Sequence, residues 1–384
     1  MSSWRWLTDP PTPDTPGLGV RVLAKAALLF AAVNVLFALL DPLPALGRVS
    51  LYNTLLPGRP RLPFSDRPAQ SYNLSLMSLE AMLAAHAVAR PAAPDEYRVL
   101  LLGDSSVWGV LLRPDETLAA RLNAAGLTAP DGRRLRFYNL GHPAMALAKD
   151  LLLLDAARPT RPDAVWWLVT LQSFPREAQL EPPLVQHNAA ALRRLIAAYG
   201  LDLDPVDPRL TPPDFFERTL VGRRRDLADW LRLQLYGFTW AATGIDQYYP
   251  ETYTPRTEDF EADVRWREYP APALLSGREL AFDVLAAGMV QAGAPVVVVN
   301  EPIFRSSGRN SDLRYNAWYP RWAYDAYRAA LAAEAAARGW RLLDLWDAIP
   351  PDAFTDSPVH LTPAGSQRLA DRLAAFVRAQ LSPG

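Results

Sequence analysis

The sequence predicts an α/β protein built on a five-stranded parallel sheet with helices on both faces. Three observations carry this. Five short apolar runs are continuous rather than alternating, as strands buried on both faces should be. They alternate with segments of helical periodicity. The uncommon polar residues cluster just after the runs, and open parallel sheets hold their ligands beyond the carboxyl ends of the strands.

The elements follow in order. Residues 1–19 are polar and Pro-rich and read as a cytoplasmic leader. Residues 20–41 read as a transmembrane anchor, since only Asn34 is polar between Ala26 and Leu40. A helix over residues 22–40 would be roughly 28 Å long at about 1.5 Å per residue, close to the thickness of a bilayer core. Arg5, Arg21 and Lys25 precede it, so the positive-inside rule places the rest of the chain outside the cytoplasm. A cleaved signal peptide is the main rival, but its polar leader would be long, and Ala45-Leu46-Gly47 makes a poor cleavage site. A buried core helix is the other rival, and such helices rarely sit this close to a polar terminus. Residues 42–95 read as a connector, dense in Pro and Gly between 57 and 68, with a helical stretch from Leu76 to Arg90.

The region 96–384 carries the alternation. The strand-like runs are YRVLLLG (97–103), LRFYNLG (135–141), DAVWWLVTL (163–171), APVVVVN (294–300) and WRLLDL (340–345). Helices are predicted near 116–125, 144–157, 276–292, 321–338 and from Pro363 to Gln380. Between the third and fourth runs lies an insert of about residues 187–275. It opens with HNAAALRRLIAAYGL and later places Leu227, Trp230, Leu231 and Leu235 at helical spacing. It reads as a helical cap whose apolar face packs on the sheet domain and which walls the pocket. Its Arg, Trp and Tyr content also suits a surface resting on a bilayer.

Composition narrows the function. The chain has 384 residues, 50% hydrophobic and 21% charged, with a net charge of −1, an ordered globular composition without the basic bias of a nucleic-acid partner. It has no Cys, which excludes disulfides, thiolate nucleophiles and Cys-ligated zinc. No metal or organic cofactor is implied. Lysine occurs only at 25 and 149, and the near-exclusive use of Arg reads as coding bias.

The loops after the runs hold Gly103-Asp104-Ser105-Ser106, Asn139-Leu140-Gly141-His142, Thr170-Leu171-Gln172-Ser173, Asn300-Glu301-Pro302, and a stretch with Asp356 and His360. A serine nucleophile needs a base, and the base needs an orienting acid. Of the four histidines, His86 and His187 fall in helices, whereas His142 and His360 follow strands. Only His360 has a carboxylate nearby in a turn, Asp356, and a following helix to hold it. The bland alternatives are that Ser105 caps a helix and that His360 is a satisfied turn histidine.

Gly-Asp-Ser after the first strand, Asn-x-Gly after the second and a late Asp–His pair before the final helix resemble the SGNH (GDSL-like) hydrolase superfamily, in a membrane-anchored bacterial form. The resemblance covers about residues 97–173 and 276–381. It implies a flavodoxin-like sheet and an esterase, lipase, deacetylase or acyl-transfer activity on lipids or carbohydrates. It makes Ser105 the nucleophile, His360 the base and Asp356 its orienting acid, with the amides of Ser105 and Gly141 as oxyanion donors. Two departures stand out. The usual third block, Gly-x-Asn-Asp, is replaced by Thr170-Leu171-Gln172-Ser173, so Gln172 becomes the candidate side-chain donor. Three residues, not two, separate Asp356 from His360. His142 and Glu301 are candidates for the pocket wall. The resulting expectation is a serine esterase acting on an O-acyl group of an envelope glycan or lipid outside the cytoplasm, held to the membrane by its N-terminal helix. Its alternatives are O-acetyl transfer to an exported polysaccharide beside a membrane acyl-donor partner, and a catalytically degenerate binding or assembly protein.

Overall fold

All five runs fold as strands: β1 (Glu96–Leu102), β2 (Arg134–Asn139), β3 (Ala164–Val169), β4 (Val296–Asn300) and β5 (Arg341–Asp344). They pair in parallel in the order β2-β1-β3-β4-β5. The structure, a computed structural model, describes residues 18–253, 258–270 and 275–381. Most of the expected leader and two short pieces of the 187–275 insert lie outside the described residues. The helices used below are α1 (Leu18–Leu40), α2 (Ser105–Trp108), α3 (Leu118–Ala124), α4 (Leu147–Ala157), α5 (Ala189–Tyr199), α6 (Arg224–Thr243), α7 (Phe282–Gln291), α8 (Arg321–Arg338) and α9 (Pro363–Leu381).

Strand side chains alternate between two cores, as period-two geometry requires. Leu100, Leu102, Val165, Trp167 and Val169 enter one, with residues of α4, α5, α7 and α8. Val99, Leu101, Trp166 and Leu168 enter the other, with residues of α3 and α9. Every residue of β3 is buried, which is why its sequence shows no polar alternation. Each large side chain buried this way contributes about 1.5–3 kcal/mol, so the central strand anchors the sheet.

The chain divides into two compact units, one of Met1–Leu43 with Pro213–Ala228, the other of Pro44–Pro212 with Asp229–Gly384. In the first, α1 is a helix that holds, within Gly19–Leu40, an 18-residue stretch of mean hydropathy 2.3, long and apolar enough to cross a membrane. Leu23, Leu28, Leu29 and Leu36 on it are exposed.

Two expectations change. Residues 44–95 do not behave as a connector: Tyr52, Leu62, Leu76 and Met82 are buried in the same core as α4 and α7. The helix foreseen from Leu76 to Arg90 is confined to Leu79–Ala85, because Ser78 caps its start and the chain turns at His86. The His86 ring then accepts from Val88 N and opens a separate 3-10 turn. Leu192, Leu195 and Ile196 of α5, at the start of the insert, pack into the first core, as a cap with its apolar face on the sheet should.

Candidate active site

The strand order reverses between β1 and β3: β1 leads outward to β2, and β3 leads the other way to β4. A crevice opens at such a switch point beyond the strand ends. There the chain leaves β1 through Gly103 and Asp104. The Asp104 carboxylate accepts from Ser106 N at 2.7 Å and is the N-cap of α2. The capping role therefore falls on Asp104, and the hydroxyl of Ser105, the first helical residue, is left for another partner.

That partner is His360. Its Nε2 lies 2.8 Å from Ser105 Oγ, and its Nδ1 lies 2.9 Å from Asp356 Oδ1. Burial would raise the Asp356 carboxyl, but hydrogen bonds from His360 and Thr355 hold it below the usual carboxylate range. An ionised Asp356 fixes the proton on Nδ1 and presents Nε2 to the serine hydroxyl as an acceptor. The longer Asp–His spacing is absorbed locally. Phe354 pairs with Leu361 across the loop, Thr355 N donates to His360 O at 2.9 Å, and Pro358 O accepts from Phe304 N at 2.7 Å. The loop is thus a pinned hairpin whose arms set Asp356 opposite His360.

Of the three expected oxyanion donors, Gly141 is engaged within the protein. Ser105 N–H stands in the first helical turn, where no intrahelical acceptor exists. Gly141 N–H, expected beside it, donates to the Asn139 side-chain oxygen at 3.0 Å. Asn139 in turn donates to Val107 O at 2.7 Å, so its amide fastens the end of β2 to α2. Gly141 is needed there for space: a Cβ would lie 2.4 Å from Trp108 N. Gln172 sits in a 3-10 turn, Leu171–Ser173, directly after β3. Its side-chain oxygen is buried with no partner in the protein.

His142 and Glu301 are 3% and 2% exposed, and Glu301 lines a small cavity with Ser106 and Pro302. Both ring nitrogens of His142 lack a partner, and burial together with the Lys149 charge pushes its imidazole down to about 3. Glu301 hydrogen-bonds to Ser106 Oγ from beneath α2. Burial and the neighbouring Asp104 push its carboxyl well above the usual range. Lys149, wholly buried, donates to Gly103 O and His142 O, each at 2.7 Å, and pairs with Asp150 at 2.7 Å. It ties the chain leaving β1 to the chain leaving β2. Among the described residues no three His, Asp or Glu side chains converge as a metal site would need.

The nucleophile segment has a second clamp that sequence reasoning missed. Arg61 is 2% exposed and paired with Asp246 at 2.6 Å. Its guanidinium also donates to Gly109 O at 2.9 Å and Leu112 O at 3.0 Å. Gln247 donates to the same two carbonyls and accepts from Leu111 N at 2.7 Å. The partners are about 185 residues apart in sequence, and no local pattern marks them.

No family model matches this chain, and no curated protein matches it. Some solved structures are similar to it over about three quarters of its length. A carbohydrate acetylesterase from Sinorhizobium meliloti, Est24, is 13% identical over 74% of this chain and 99% of its own, with a TM-score of 0.34. An aryl esterase from M. smegmatis is 15% identical over 73% and 98%, with a TM-score of 0.33. The acetylxylan esterase Axe2 from Geobacillus stearothermophilus is 11% identical over 73% and 94%, at 0.32. At these identities and scores, the reading of the site rests on its own geometry.

Proposed function

We propose that the chain is a serine esterase of SGNH type that removes or transfers an O-acyl group of an envelope glycan or lipid. The observation that carries this is the continuous relay from Ser105 Oγ through His360 to Asp356, at 2.8 Å and 2.9 Å. A non-catalytic binding protein has no use for such a relay.

The chemistry follows from the relay. His360 Nε2 takes the Ser105 proton as Oγ bonds to the ester carbonyl carbon. The negative oxygen is met by Ser105 N–H and, in this reading, by the Gln172 amide. The tetrahedral adduct collapses, the carbon–oxygen bond to the alcohol breaks, and His360 returns its proton to that alcohol. Water, or a sugar hydroxyl, then attacks the acyl-serine, giving its proton to His360. Collapse releases the acid or new ester, and the proton goes back to Ser105. Asp356 remains ionised throughout and steadies the imidazolium.

The apolar α1 and the basic residues Arg21 and Lys25 ahead of its apolar stretch support an extracytoplasmic site held at a membrane. A serine-directed phosphonate should label Ser105, and Ser105→Ala should abolish hydrolysis of a short-chain ester without loss of fold. Labelling at Ser106, or full activity in the variant, would refute the assignment.

A further inference from the structure

Residues 214–222 belong to the same compact unit as α1, and their backbone runs through turns. An irregular segment beside a bilayer-spanning helix must satisfy its own N–H groups, because lipid offers none. This one does so. Glu217 N donates to Asp214 Oδ1 at 2.7 Å, and Gly222 N to Thr219 Oγ1 at 3.1 Å. Arg218 N donates to Asp214 O at 3.2 Å, Thr219 N to Phe216 O at 3.0 Å, and Arg223 N to Thr219 O at 2.9 Å. Val221 N donates to α1 itself, to Asn34 Oδ1 at 3.0 Å. Asn34 is the polar residue that interrupts the apolar stretch. Its Nδ2 donates to Phe30 O at 2.9 Å, so both ends of its amide are occupied.

Depth follows from the helix rise. Asn34 stands six residues before Leu40, the end of α1. At about 1.5 Å per residue that is ~9 Å from the end of the span. Interfacial segments bury their apolar side chains about 5–10 Å into the headgroup and acyl boundary. The segment that bonds Asn34 exposes Phe215 (46%) and Phe216 (68%). Arg218, with its guanidinium 6.0 Å from the Phe215 ring centroid, and the exposed Arg224 and Arg225 flank them. The acidic groups are occupied locally: Asp214 and Glu217 bond each other's N–H, and Asp226 pairs with Arg223.

We infer that residues 214–222 form a membrane-interface wedge. Phe215 and Phe216 enter the acyl boundary of the leaflet that holds the Leu40 end of α1, with the arginines at headgroup level. The partner is the lipid surface itself, and the inference rests on reading α1 as a membrane span.

The chain contains no cysteine, so Leu29→Cys and Phe216→Cys can each carry a single environment-sensitive fluorophore in the full-length protein. Each is reconstituted into phosphatidylcholine–phosphatidylglycerol vesicles with or without bromine on the acyl chains. Brominated lipid should quench both sites, with quenching at 216 within about twofold of that at 29. Phe215→Cys, which keeps Phe216, should behave as Phe216→Cys does. Quenching at 29 without quenching at 215 or 216 overturns the wedge and leaves the span standing. Absence of quenching at 29 overturns the span, and the wedge with it. A blue-shifted, unquenched signal at 216 that depends on protein concentration means a second copy covers the patch, which also overturns the inference.

Discussion

The Gly141 amide donates to the Asn139 side-chain oxygen, and the Asn139 amide donates to the carbonyls of Val107 and Trp108. Asn139 therefore holds the nucleophile's helix at the end of β2. Asn139→Leu strands these buried groups, and each stranded group costs about 1–3 kcal/mol. Urea unfolding of Asn139→Leu should show a loss of ~3 kcal/mol. Activity should fall with it, because α2 loses its tether. Gly141→Ala should be no milder, since its Cβ would drive into Trp108 N. Parental stability in both variants would mean that α2 is held elsewhere.

With Gly141 N–H engaged, the oxyanion depends more on the third loop. Gln172→Ala should lower kcat by about 10²–10³ with little change in KM, as for loss of one transition-state donor. Steady-state kinetics on a short-chain ester decides this. Normal turnover would remove Gln172 from the site.

Glu301 lies under α2 and hydrogen-bonds to Ser106, with its carboxyl pushed toward the neutral form by burial and Asp104. Glutamine mimics a neutral carboxyl, whereas leucine leaves Ser106 Oγ and Asp104 without it. Glu301→Gln should keep kcat within about threefold of the parent and preserve its pH profile. Glu301→Leu should cost about 1–3 kcal/mol of stability. Equal damage from both variants would point to an ionised Glu301.

Acid should weaken the fold through two buried histidines. Burial pushes His86 down to about 4, and burial with Lys149 pushes His142 down to about 3. Unfolding restores an imidazole pKa of about 6.5. Below that pH the unfolded chain binds protons that the folded chain does not, so stability falls as pH falls from about 6.5 toward 4 and 3. Each contributes about 2 kcal/mol of loss between pH 6.5 and pH 5. Glu301, whose shift is upward, acts in the opposite sense, so the comparison must be differential. Replacing His142 by Phe should flatten the parent's pH dependence over this window by about that amount, read by chemical unfolding at pH 5 and pH 7. An unchanged slope would mean that His142 is charged in the fold.

The strands were legible because burial on both faces makes a run such as AVWWLV continuous and apolar, and because segments of helical periodicity separate the runs. Ser105, His360 and Asp356 were legible from residue type and from their places after strands. Gly141 was expected as an oxyanion donor, but its N–H is engaged by the Asn139 side chain and its close approach to Trp108 shows only in the fold. The direction of its N–H is set by the Asn139 side chain, and no spacing rule reads a side-chain torsion. Residues 44–95 were misread because the dense Pro and Gly between 57 and 68 pointed to a connector, whereas the burial of Tyr52, Leu62 and Met82 depends on segments far along the chain. The Arg61–Asp246 clamp failed for the same reason, since its partners meet only in the folded chain.

Lys149 has a consequence for how this sequence can change over time. Its ammonium meets Gly103 O, His142 O and Asp150 at one enclosed point. A tetrahedral head suits three converging acceptors, and a flat, wider guanidinium does not. A genome under pressure toward arginine codons can exchange the exposed Lys25 freely. At position 149 the same exchange would force apart the ends of β1 and β2, so mutational drift stops there. Natural variants of this chain should carry arginine at 25 while keeping lysine at 149.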